Sequence, residues 1–131
     1  MTPLFRKVDC LSLPVPDLDA ALAFYSEHLG HTLIWRSSKA AGLELPDSNA
    51  ELVLHTDARP METDLAVESV PQALERFRAA GGTVLAGPFD IQIGLCAVVA
   101  DPWGNVLVLL DTSKGLLRVD EEKRVIDEQA D

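Results

Sequence analysis

Asp101-Pro102-Trp103-Gly104-Asn105, running straight into Val106-Leu107-Val108-Leu109-Leu110, is the stretch on which the reading of this chain turns. Proline fixes φ, and glycine and asparagine tolerate positive φ, so the first five residues form a tight turn. The five apolar residues after it read as a buried strand. Upstream, Leu13-Pro14-Val15-Pro16-Asp17-Leu18 ends one strand, Val8 to Val15, and opens a helix. Asp17 or Asp19 caps that helix; Leu18, Ala21, Leu22, Tyr25 and Leu29 share one face, and Gly30 stops it. Strands follow at His31 to Arg36, Ala41 to Leu45 and Glu51 to Thr56, with a Pro46-Asp47-Ser48-Asn49 turn before the last.

Thr56 to Glu62, with its Pro60, reads as a linker, after which the pattern restarts. The expected elements are a strand at Asp64 to Glu68, a helix over Val70 to Ala80 ending in Gly81-Gly82, and a strand at Thr83 to Leu85. Further strands are expected near Ile91 to Ile93, Cys96 to Ala100 and Val106 to Leu110. Leu13, Val15, Leu18, Ala21, Leu22, Tyr25, Gly30 and Leu33 correspond at a constant offset of 52 to Leu65, Val67, Val70, Ala73, Leu74, Phe77, Gly82 and Leu85. The sequence therefore predicts an α+β domain over residues 1–113, built of two βαβββ modules at about 5–57 and 62–113 whose curved mixed sheet surrounds a cavity. Residues 114–131 form a charged tail, expected as a short helix and then a frayed end.

At 131 residues the chain is long enough for one domain. Its formal charge of −10, from 21 acidic and 11 basic residues, argues against nucleic acid and leaves room for a cationic ligand. No apolar run approaches a membrane span, and Met1 to Lys7 lacks a signal-peptide core. Cys10 and Cys96 stand in apolar stretches without metal spacing, which fits a reducing, cytoplasmic setting.

The Asp101 to Leu110 run, with Leu13 to Leu18 and with Phe24-Tyr25 through Leu29-Gly30, resembles the glyoxalase / bleomycin resistance protein / dioxygenase group, the vicinal oxygen chelate superfamily, over roughly residues 5–113. The resemblance implies the paired modules and a homodimer that completes the cavity. It also implies, in metal-dependent members, one ligand from the first and one from the last strand of each module, typically His, Glu, His and Glu. Those positions fall here on Cys10, Val53, Glu62 or Asp64, and Val108. Valine has no lone pair to give, so the usual metal site is expected to be lost and no cofactor is expected. The alternative is one divalent ion held by a shifted set of Cys10, His55, and Glu62 or Asp64.

Strand alternation sends Leu52, Leu54, Leu107 and Leu109 toward the helices and Glu51, Val53, His55, Val106, Val108 and Leu110 to the other face, with Cys10 and Ser12. The candidate ligand-binding residues are Cys10, Trp35, Val53, His55, Asp64, Phe89, Trp103 and Val108. Trp35 and Trp103 either line the cavity mouth or serve as core and turn plug. His55 with Glu51 is the candidate acid-base pair, though four residues along a strand separate them by about 13 Å. No Ser-His-Asp triad, phosphate loop or dinucleotide glycine pattern is present. The expected function is a resistance-type protein binding a small organic molecule without a metal. The alternatives are a metal-dependent lyase, isomerase or dioxygenase with a non-standard ligand set, and a scaffold whose cavity valines and leucines have filled.

Overall fold

The computed structural model describes residues 2–126. The element order is β1 (Lys7–Pro14), α1 (Leu18–Leu22) continued by a π-helical turn (Ala23–His28), β2 (Leu33–Arg36), β3 (Ala40–Glu44) and β4 (Glu51–His55). It then repeats as β5 (Glu62–Ala66), α2 (Val70–Ala79), β6 (Thr83–Ile91), β7 (Gly94–Ala100) and β8 (Val106–Leu110). This is the expected βαβββ pattern twice over, an α+β fold with mixed strand pairing. The chain divides into two compact units: Thr63–Leu116 with the residues up to Asp9, and Cys10–Glu62 with the residues from Leu117 onward.

In the unit containing α1 the strand order is β2-β3-β4-β1, with β1 and β4 parallel and the other pairs antiparallel. Asp17 caps α1 by accepting from the Ala20 N–H at 3.1 Å. Leu18 from the helix and Ala41, Leu43, Leu52 and Leu54 from the strands form the core, with Leu11, Leu13, Ala21, Leu22, Tyr25 and Leu33 packed against it. The one even α-helix expected here is instead a five-residue α-helix and a π turn, closed by Leu29 N–H donating to Phe24 O at 3.1 Å. The wider turn takes up an additional residue and rotates Leu29 off the apolar stripe, leaving it 53% exposed.

In the other unit the order is β5-β8-β7-β6, with β5 and β8 parallel. Val67, Val70, Ala73, Leu74, Ala97, Val99 and Leu109 form its core. Ser69 caps α2, which is regular throughout. Because only the first module carries the π turn, the offset drops from 52 to 51 after the helices. Val84, not Leu85, takes the core place of Leu33, and Gly81, not Gly82, shares the positive φ of Gly30. Gly82 instead lies against the Phe77 ring, where a Cβ would collide.

The strands expected separately at Thr83 to Leu85 and near Ile91 are one strand, β6, whose register shifts between Val84 and Ala86 and again between Ala86 and Phe89, where the cis Gly87-Pro88 bond lies. The tail departs further from expectation, since residues 114–126 contain no helix. They form a bridge between Val119 and Val125 and dock on β2, through Arg36 N–H to Lys123 O at 2.8 Å and Val125 N–H to Arg36 O at 2.9 Å. The end of the expected tail, 127–131, lies outside the described residues.

Candidate functional site

Alternation along β4 puts Leu52 and Leu54 in the core and Glu51, Val53 and His55 on the opposite face, as the sequence predicts. The registers lay that face out in three rows. Cys10, Glu51 and Glu44 form the first, Ser12, Val53 and Gly42 the second, and Pro14, His55 and Ala40 the third. Trp35 pairs with Gly42 from β2. Its indole N–H donates to Glu51 Oε1 at 2.7 Å. The ring crosses Gly42 so closely that a Cβ there would collide with Trp35 Nε1 and stand 2.6 Å from Glu51 Oε1. A glycine inside the strand thus makes room for the nitrogen-bearing edge of an indole. It also draws the carboxylate over the middle row.

His55 is 2% exposed, and neither ring nitrogen has a hydrogen-bond partner of ordinary geometry. Burial lowers its pKa, and the Arg59 guanidinium lowers it further; Asp57 and Glu62 pull the other way, and the Asp57 backbone contributes least. The ring is therefore held toward its neutral form, with one donor and one acceptor. Arg59 is itself braced, donating to Glu62 Oε1 at 2.7 Å and to Asp57 Oδ2 at 3.3 Å.

In the other unit Asp64 pairs with Val108, which also faces Val98 on β7. Phe89 pairs with Cys96 on β6 and β7 and is half exposed. Trp103 is 83% exposed, so it neither plugs its turn nor belongs to the core. The turn is held by Asp101, whose Oδ1 accepts from the N–H groups of Trp103 and Asn105, both at 2.9 Å, and whose Oδ2 accepts from Asn105 Nδ2 at 2.8 Å. The Asn105 side chain first, then these backbone donors, keep the carboxyl below its ordinary pKa.

Of the sequence-predicted residues, Cys10, Trp35, Val53 and His55 thus share one face with Glu51, while Asp64 and Val108 sit side by side in the other unit. Ser12, buried beside Val53, was expected on this face but not among the ligand-binding residues, and Gly42 was not singled out. Gly42 was legible as a glycine interrupting a strand. The family's usual metal set does not fit the residues present. Val53 and Val108 carry no donor atom, and among the described residues no three His, Cys, Asp or Glu side chains converge to hold an ion.

No curated protein matches the chain in sequence. Among solved structures, methylmalonyl-CoA epimerase from Mycobacterium tuberculosis superposes with a TM-score of 0.73 at 19% identity, over 86% of this chain and 92% of that one. The Streptomyces coelicolor methylmalonyl-CoA epimerase in complex with 2-nitronate-propionyl-CoA gives 0.69 at 17%, over 83% and 99%. Homoprotocatechuate 2,3-dioxygenase from Brevibacterium fuscum gives 0.65 at 20%, over 88% of this chain and 39% of that one. These likenesses establish the fold. The sequence model of one family spans residues 7–109, from the start of β1 almost to the end of β8. With the doubled βαβββ order, that match means that the chain belongs to the Glyoxalase/Bleomycin resistance protein/Dioxygenase superfamily.

Proposed function

We propose that this chain binds a small organic molecule, without a metal, on the face of β1, β3 and β4 turned away from α1. The observation that carries the reading is the Trp35 indole laid over Gly42 with its N–H on Glu51. A face meant only for packing would fill that space with an aliphatic side chain. Here a flat aromatic ring and a carboxylate are held ready together, the pairing that receives flat or cationic ligands. Val53 and Val108, at two positions where the family resemblance places metal ligands, support the metal-free part.

Elemental analysis of untagged protein, with native mass spectrometry of the same sample, tests the reading. The expected result is no stoichiometric Fe, Zn, Ni or Mn, and either a co-purifying organic mass or saturable quenching of Trp35 by cationic aromatics. One metal per chain would overturn it in favour of a metal-dependent lyase, isomerase or dioxygenase, a reading favoured only by the two unpartnered ring nitrogens of His55.

The reading extends to a cytoplasmic homodimer. Exposed apolar side chains such as Leu116 and Trp103 support the dimer, and the absence of a disulfide among the described residues suits a reducing compartment. A monomer mass by light scattering would remove the dimer.

A further inference from the structure

A buried polar group without a partner calls for an explanation, because leaving it unpaired forfeits the hydrogen bonds it made with water. His55 comes close to being such a group, with no more than a weak approach from the Asp57 backbone, and it stands on the ligand-binding face proposed above, one row from Val53 and two from Glu51. Four residues of strand would separate His55 from Glu51 by about 13 Å. The Glu51 carboxylate, however, does not stand over its own row. It reaches across to Gly42, in the row of Val53 and one strand aside. That leaves about 8 Å between the carboxylate and the His55 position, taking two residues of rise and one strand spacing.

The face therefore presents an anion beside an indole at one end and a neutral imidazole at the other, with the Val53 side chain between. A neutral imidazole is satisfied by a group that both gives and takes a hydrogen bond, which a hydroxyl does and a hydrocarbon does not. The charged groups around His55 do not supply this. Arg59 is committed to Glu62 and Asp57, and neither carboxylate bonds the ring.

We propose that the ligand is an organic cation bearing a hydroxyl group, its cation received by Glu51 and Trp35 and its hydroxyl by His55. This rests on the binding reading above and deepens it by naming the chemical class.

The test uses three probes on the full chain carrying Trp103→Phe, which leaves Trp35 as the reporting indole. The probes are 2-(4-hydroxyphenyl)ethylamine, which has both ends, 2-phenylethylamine, which lacks the hydroxyl, and 4-methylphenol, which lacks the cation. The hydroxylated amine should quench Trp35 with a Kd about tenfold below that of 2-phenylethylamine, the worth of one buried hydrogen bond. His55→Leu should erase that advantage while leaving 2-phenylethylamine binding intact. His55→Gln, which keeps a donor and an acceptor, should restore part of it and covers the case in which the leucine variant does not fold. Glu51→Gln should weaken both amines and spare 4-methylphenol.

Equal affinities for the two amines, or an advantage that survives His55→Leu, would overturn the inference and leave the binding reading standing. Saturable quenching by none of the three would overturn the inference, and if no organic mass co-purifies either it would overturn the binding reading as well.

Discussion

Gly42 matters for what it lacks. A Cβ there would strike Nε1 and Cε2 of Trp35, the rigid part of the indole, so the ring and not merely a flexible tip would have to move. Gly42→Ala should lose the hydrogen bond to Glu51 and cost about 1–3 kcal/mol, the range of an overpacked core. With Trp103→Phe as background, thermal unfolding and a shift of Trp35 emission toward that of a solvated indole would show it; unchanged emission would mean that the strands part to accept the methyl. In the other unit the telling residue is Asp111. It is 2% exposed, and its carboxylate accepts from Val70 N–H at 2.8 Å, Leu95 N–H at 2.9 Å, and the Ser113 N–H and hydroxyl at 3.2 and 2.8 Å. It thus ties the first turn of α2 to the start of β7. Burial pushes its pKa up, but these donors outweigh burial and hold it below the ordinary aspartate value. A lowered pKa in the fold means that the unfolded chain takes the proton first. The stability Asp111 adds is therefore complete above the ordinary value and is lost as pH falls through the lowered one. Asp111→Asn, which sets an amide among N–H donors, should cost about 3 kcal/mol at neutral pH. The gap from wild type should narrow only in acid below about pH 4, as denaturation at a series of pH values would reveal. His55 has the same sign for a different reason: its neutral form is favoured in the fold, so stability should begin to fall as pH drops below the ordinary histidine value of 6.5.

Two loops in this chain are built alike. In Asp101 to Asn105 the aspartate accepts from the N–H groups two and four residues on, and the fourth residue, Gly104, has φ +88°. In Asp120 to Arg124 the aspartate accepts from Glu122 and Arg124 N–H at 2.9 and 3.0 Å, and the fourth residue is Lys123, at φ +66°. An L residue with a side chain pays about 1–2 kcal/mol for that conformation, and glycine pays none of it. Lys123→Gly should therefore stabilise the docked tail by about 1 kcal/mol, reduced by the freedom glycine adds to the unfolded chain. Slower amide exchange at Val125, bonded to Arg36, would register it, and faster exchange would contradict it. The sequence showed the first loop through its Pro, Gly and Asn, but hid the second behind charged residues that fit a helix as well. The π turn was hidden in the same way. Leu18, Ala21, Leu22, Tyr25 and Leu29 satisfy a 3.6-residue period, and no local signal marks where the turn widens; only the one-residue loss of offset at Val84 and Gly81 betrays it. Strand positions, faces and the repeat were legible because alternation and like-for-like apolar matches are properties of sequence alone.

For the whole molecule, the parity of β4 and β1 was enough to put Cys10, Val53, His55 and Glu51 on one face. What no spacing could supply was that Glu51 reaches to Gly42 and accepts from the Trp35 indole N–H, because that depends on a side-chain contact between β2 and β4. Net charge also acts at this scale. The chain carries −10, and its exposed ion pairs, such as Lys114 with Asp90 and Arg36 with Asp19, are of the kind worth about 0–1 kcal/mol. Repulsion among the remaining carboxylates opposes the folded state, and it is a long-range effect. Raising NaCl from about 10 mM to about 1 M shortens the screening length from about 30 Å to about 3 Å. The melting temperature should therefore rise with salt, since the screened repulsion exceeds the screened pairs. Binding of 2-phenylethylamine should weaken over the same series, because its attraction to Glu51 and to the surrounding negative field is screened as well. The opposite signs make the pair of measurements decisive. A melting temperature that falls with salt would show that the exposed ion pairs outweigh the repulsion. An amine affinity indifferent to salt would show that the indole face and apolar contact, not the carboxylate, hold the cation.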